Sequence, residues 1–277
     1  MSIKLWNAAF PKFFFVKGNT HAGKRVIFFS KHSIFLSMSD SIPPLPFRFA
    51  LKRFTVSCAS KLFKLTTVAE MNDLIEEITS EEFSADERLP YWAELWHSSI
   101  ALSERLLEMN TSMEGKSVLD LGCGLGLTGI VAAQLGGSVT FTDIAEDALA
   151  FSRYNLMRNC DARIVARCAF EMIDWRLDAG RTWDVILAAD VIYETRMMDP
   201  LLQFFLRAIS SGGRIMLAEP HRAVAENFLP ILQRAGFTTH SSEKEIIWDH
   251  RKISVGVHEI SPFTKQPSDA SRINPHT

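Results

Sequence analysis

Between residues 47 and 68, apolar and polar positions alternate in two short runs, FRFALKRFTVSC and KLFKLTTV, on either side of a small-residue break. A period of two buries one face of a strand, so this stretch predicts a hairpin. The spacing then lengthens. In AEMNDLIEEITSEEF, Met71, Leu74, Ile75 and Ile78 fall on one helical face. After Pro90, Trp96, Ile100, Leu102, Leu106 and Leu107 continue that period into a second helix.

From Lys116 onward strand-like and helix-like segments take turns: SVLDLG, LTGIVAAQL, SVTFTD, AEDALAFSRYNLMRN, then ARIVARC as a third strand. WDVILAAD predicts the fourth strand, MMDPLLQFFLRAI a helix, GGRIMLAEP the fifth strand and AVAENFLPILQRAGF a helix, with KEIIW and KISVGVHEI closing as an antiparallel pair. Strands separated by helices pair in parallel, because each crossover returns the chain to the same end of the sheet. The expected architecture is therefore α/β, a Rossmann-like doubly wound sheet preceded by a small hairpin and helices. Its ligand belongs at the carboxyl ends of the strands.

Composition and charge narrow the class. The chain has 277 residues, 47% apolar, enough for one substantial domain with appendages. A net charge of −2 gives no support for a nucleic-acid or membrane-surface partner. The charge is unevenly placed, however: residues 1–37 hold six basic groups and no acid, leaving 24 basic against 32 acidic groups, a charge of −8, in the remainder. The short apolar runs of that leader suit neither a membrane span nor a secretory signal. It reads either as an organelle presequence or as sequence upstream of a true start at Met38. Four cysteines without a CxxC argue against a zinc site and a disulfide framework. The division expected is a basic extension (1–37), a hairpin with helices (38–98), a cofactor-binding α/β domain (99–260) and a loosely ordered tail (261–277).

The chemistry centres on VLDLGCGLGLTGI, residues 118–130. Gly124, Gly126 and Gly129 satisfy the dinucleotide pattern, while Gly122, Gly124 and Gly126 form a wider run of alternate glycines after Asp120. Without a Cβ, such residues let the backbone turn sharply and let a ligand approach the amides at the next helix's start. Asp143, ending the second strand about 20 residues on, can accept hydrogen bonds from ribose hydroxyls, or can cap the helix that follows. By itself the loop admits both an NAD-linked oxidoreductase and a binder of another adenosine cofactor.

LDLGCGLGLTGI resembles the first motif of the seven-β-strand methyltransferases. LPYWAELWHSSIALSERLL upstream and AADVIYE at the end of the fourth strand resemble, more narrowly, the methyltransferase-like 21 group of protein lysine methyltransferases, among whose relatives is the enzyme acting on the electron transfer flavoprotein β subunit. The likeness covers roughly residues 88–237. It implies S-adenosylmethionine as cofactor, held by Trp96, Asp120, Gly122, Gly124, Gly126, Asp143, Ile144, Asp174, Trp175 and Ala189, and Asp190 and Tyr193 as the catalytic pair that holds an acceptor amine. It implies a protein substrate presenting a lysine, with a small amine or hydroxyl compound as the alternative acceptor. A non-catalytic module on the same fold stays open as well.

Physical chemistry is compatible with those roles. An aromatic face such as Trp96 suits a sulfonium cation or an adenine ring, and Ile144 offers adenine an apolar face. Asp190 follows the apolar run VILAA, so its carboxylate opens on the same sheet edge as the glycine loop. Trp92 is assigned to the core, and His97 and His221 to a helix start and the surface. HExxH and GxSxG are absent from the sequence, so zinc-peptidase and hydrolase readings lack support. A cytoplasmic monomer is expected, or a mitochondrial protein if residues 1–37 are a presequence.

Overall fold

The two alternating runs pair as β1 (Leu51–Cys58) and β2 (Lys61–Val68), in antiparallel register from Leu51 opposite Val68 to Cys58 opposite Lys61. The computed structural model describes residue 45 and residues 49–76, 89–177 and 180–263. The basic extension, the first helix beyond Glu76 and the end of the tail lie outside them. α1 (Met71–Glu76) follows the hairpin; a 3-10 turn (Tyr91–Ala93) and α2 (His97–Met109) lead to the sheet.

The sheet has seven strands in the order β5-β4-β3-β6-β7-β9-β8. Its elements are β3 (Ser117–Leu121), α3 (Leu127–Gln134), β4 (Ser138–Asp143), α4 (Glu146–Asn159), α5 (Ala162–Val165) and β5 (Ala169–Met172), then β6 (Trp183–Ala189), α6 (Met198–Ala208), β7 (Ile209–Glu219), α7 (Phe228–Arg234), β8 (Phe237–Trp248) and β9 (Arg251–Pro262). β3 through β7 run parallel, and β9 pairs antiparallel with both β7 and β8. The expected doubly wound sheet is present. Its strand order reverses at β3 and β6, where an open α/β sheet leaves a crevice.

Alternation along β3 sorts side chains to two cores. Val118 joins the core with Ile130, Phe141 and Phe151, and Leu119 and Leu121 join the opposite one with Phe204, Phe205 and Phe228. Central parallel strands covered on both faces need such near-continuous apolar runs.

Three expectations require correction. ARIVARC is not the third strand: the Asp161 side chain accepts the N–H groups of Arg163 and Ile164 and caps a helical turn there, so the strand begins at Ala169. β7 starts at Ile209, before its two glycines, and the closing pair is a 12-residue hairpin on each side, longer than KEIIW. Trp96 stands just before α2 as its N-cap residue and is not within the helix.

The hairpin is fastened to α4 by two asparagines. Asn155, fully buried, accepts from Thr66 N–H at 2.8 Å and donates to the Thr66 and Leu125 carbonyls at 3.1 and 3.0 Å; Asn159 accepts from Lys64 N–H and donates to Lys64 O, both at 2.9 Å. Amide side chains thus satisfy the outer edge of β2 as a neighbouring strand would, and Asn155 ties that edge to the glycine loop.

Candidate active site

Strand register sets the site. Leu121 lies beside Thr142 of β4 and Ala188 of β6, so Gly122, Asp143 and Asp190 emerge at one edge of the sheet. A cavity of about 430 Å³ opens there, within the size range of small-molecule sites.

Its floor is the loop between β3 and α3. Gly122, Gly124 and Gly126 all adopt left-handed φ, at 63°, 50° and 83°. A Cβ on Gly126 would sit 2.8 Å from Ser152 Cβ, so glycine is required there for both conformation and space. Gly129 serves packing: a Cβ would fall 2.3 Å from Phe141 Cε1 and 2.7 Å from Asp120 Oδ2. Asp143 accepts from Gly124 N–H at 3.1 Å and from Ala145 N–H at 3.0 Å, so one carboxylate both braces the loop and serves the entry to α4.

The cavity is lined by Trp96, Gly122, Gly124, Gly126, Asp143, Ile144, Trp175, Ala189, Asp190 and Tyr193, ten of the twelve residues singled out above. Two do not line it. Asp120 is 1% exposed and turns to the α3 side of the sheet, where it accepts from Thr128 Oγ1 at 2.6 Å and Gly129 N–H at 2.9 Å. Burial raises its carboxyl to about 7, against the two hydrogen bonds that lower it. It supports the loop from beneath. Asp174 faces its own near neighbour: Arg176 Nε lies 2.9 Å from both its oxygens. Trp175 is the residue of that segment that lines the cavity; its ring backs Gly122, and its buried Nε1 has no hydrogen-bond partner among the described residues.

At the other end stands a group built from distant parts of the chain. Asp190, at φ 59°, accepts from Ser98 Oγ at 3.2 Å and from Arg222 Nε at 2.8 Å. The Arg222 guanidinium lies 5.4 Å from the centroid of the Trp96 ring. Trp96 Nε1 donates to Tyr91 O at 2.8 Å, and the Tyr91 ring contacts Trp96 and Tyr193 at centroid distances of 6.0 and 5.6 Å. Sequence reasoning missed Arg222, Ser98 and Tyr91, and it gave Trp92 to the core alone, whereas Trp92 both packs on Phe151 and lines the cavity. The available signal for Arg222 was its place just after β7, at the edge where ligands bind. His97 begins α2, with burial lowering its pKa. His221 sits on the surface at φ 56°, pairing with Glu243 at 2.8 Å, a contact that raises the imidazole pKa.

The sequence model of a family described as lysine methyltransferase matches residues 84–235, more than half the chain and every residue that lines the cavity, Arg222 included. The chain belongs to this lysine methyltransferase family. Among its relatives, protein N-lysine methyltransferase METTL21A of Xenopus tropicalis is 33% identical over 148 residues, covering 53% of this chain and 68% of that protein. The electron transfer flavoprotein beta subunit lysine methyltransferase of Xenopus laevis is 32% identical over 163 residues, 56% of this chain and 64% of its own length. Both lie in the group that the WAELW and AADVIYE segments resemble. The crystal structure of SMU.776 complexed with SAH shares the fold, with a TM-score of 0.52 at 14% identity over 75% of this chain and 55% of that one. Family membership makes the protein an enzyme of methyl transfer to lysine.

Proposed function

We propose that the protein transfers the methyl group of S-adenosylmethionine to a lysine side chain of a protein, with the cofactor in the cavity above the glycine loop. One observation carries this reading. Gly124 and Asp143, joined by a hydrogen bond, line the same cavity as Trp96, Tyr193 and Asp190. The first pair suits an adenosine portion, which needs a carboxylate for its hydroxyls and a backbone free of Cβ atoms. The second suits a sulfonium and an amine.

The residues fit the cofactor on structural grounds as well. Gly124 holds φ 50°, and a Cβ there would come within 3.2 Å of Trp92 O, so a side chain would crowd the space between the loop and the Tyr91–Ala93 turn. Trp175 Nε1 is a buried donor without an acceptor among the described residues. Asp143 and Gly124 would hold the ribose, Ile144 and Trp175 would flank the adenine, and Trp96 would face the sulfonium. Bound there, the cofactor supplies an electrophilic methyl group.

The protein's own contribution is alignment and exclusion of water. Asp190 and Tyr193 orient the acceptor nitrogen. A lysine amine, whose ordinary pKa is about 10.4, attacks only when neutral, so an ammonium received at Asp190 must give up its proton first, a loss that the cofactor's positive charge favours. The test is incubation with labelled S-adenosylmethionine and a demethylated cell extract, followed by mass spectrometry of the labelled polypeptide. Label on a lysine is expected; label confined to small amines or hydroxyl compounds would replace the protein-acceptor reading.

A further inference from the structure

Asp190 is assigned above to the acceptor amine, yet its side chain is only 3% exposed and already engaged. Ser98 holds one oxygen and Arg222 the other, and Arg222 also lies over Trp96. A carboxylate joined to an aromatic face is a recognition unit for an organic cation. Here a cation from the chain itself fills that unit.

The two ends of this contact are built differently. Asp190 is fixed: its backbone N–H donates to Ala218 O at 2.9 Å, and its carboxylate is buried. Arg222 is anchored through its backbone, with its N–H on Glu219 Oε2 at 3.2 Å and its carbonyl accepting from Ala225 N–H at 2.7 Å, whereas its side chain is 35% exposed. Rotation of that side chain into solvent would leave the backbone bonds intact. The loop itself is under tension, because His221 is a non-glycine residue held at φ 56°.

We propose that Arg222 is a gate and a specificity-determining residue: its guanidinium occupies the seat of the acceptor's ammonium group and must swing out before a lysine can reach Asp190. This rests on the reading that Asp190 receives the amine. Breaking the Arg222 contact with nothing to replace it would leave a buried carboxylate unpaired. A lysine side chain replaces it with an alkylammonium of the same charge, so the exchange suits that acceptor and resists neutral compounds.

The experiment uses n-butylamine as the probe of a lysine side chain, titrated calorimetrically into the full-length wild type, Arg222→Ala, Arg222→Met and Arg222→Ala/Asp190→Asn, each with and without S-adenosylhomocysteine. With the seat free, both single variants should bind the amine about tenfold or more tightly than the wild type, the factor expected when the competent state is populated a tenth of the time or less. The gain should vanish in the double variant, and n-butylamine should raise the melting temperature of Arg222→Ala more than that of the wild type. Arg222→Met keeps an apolar stem over Trp96 and serves if Arg222→Ala folds poorly. Equal amine affinity in the wild type and both single variants, or a gain that survives Asp190→Asn, would overturn the gate. Failure of the wild type to bind S-adenosylhomocysteine would instead strike the cofactor assignment, which the amine titrations without that ligand do not depend on.

Discussion

The two ends of the cavity are made in contrasting ways. At the loop end, Asp120, Gly122, Gly124, Gly126, Gly129 and Asp143 lie within 24 consecutive residues, and their contacts run largely through backbone amides. At the other end, Ser98, Asp190 and Arg222 come from segments 92 and 32 residues apart and meet through side chains. Left-handed backbone is supplied by glycine in the first region and by Asp190 and His221 in the second. The loop end is thus a rigid cradle fixed by local geometry, whereas the acceptor end is a set of charged and aromatic groups whose partners can be exchanged. A common cofactor calls for the first design and a variable acceptor for the second.

The largest difference between the two ends should appear in Asp190→Ala. Transfer should fall about a hundredfold or more, the scale of misplacing a reacting group, while S-adenosylhomocysteine affinity stays within a few-fold. Single-turnover rates and calorimetry on the same folded variant check both. Full activity on a protein acceptor would remove Asp190 from amine handling.

Gly129→Val attacks the opposite end through packing. With Phe141 and Asp120 both inside contact distance of a Cβ, overpacking should destabilise the fold by about 1–3 kcal/mol or more, read as a lower urea midpoint at unchanged m-value. A smaller response is expected from Asp120→Asn. The wild-type carboxyl is raised to about 7 in the fold, so between the unfolded value near 3.9 and about 7 the folded chain binds the extra proton. Its contribution is fully present below that window and is lost as pH rises through about 7. The variant keeps an acceptor for Gly129 N–H and a donor for the Thr128 hydroxyl. Relative to it, the wild type should lose stability between pH 5 and pH 8; parallel pH profiles of the two would contradict a buried, proton-binding Asp120. Smallest of all should be Tyr193→Phe, which removes only a hydroxyl contact worth about 0.5–1.5 kcal/mol and should slow transfer less than Asp190→Ala.

The same contrast explains what could be read from the sequence. The strand and helix order was legible because a buried parallel sheet imposes apolar runs such as VILAA, and the loop was legible because tight turns and close packing leave glycines at fixed spacing. ARIVARC misled because Asp161, a cap, outweighs the β-branched pair after it. Asp120 and Asp174 were placed in the cavity because proximity in sequence does not say which way a side chain turns: strand alternation sends one beneath the loop, and Arg176 holds the other aside. Arg222 was missed for a different reason, although its place just after β7 lay at the ligand-binding edge. Its meaning lies in the 2.8 Å contact to Asp190, and no local pattern records a pairing made across 32 residues.

The central claim, that this cavity holds S-adenosylmethionine across the glycine loop and Asp143, is tested most directly by calorimetric titration of the wild type and Asp143→Ala with S-adenosylhomocysteine and with NAD. The account predicts that the wild type binds S-adenosylhomocysteine and not NAD. It also predicts that affinity falls at least about tenfold in Asp143→Ala, since each hydrogen bond to a charged group contributes roughly 1.5–3 kcal/mol. Binding of NAD in its place, or unchanged S-adenosylhomocysteine affinity in the variant, would contradict it.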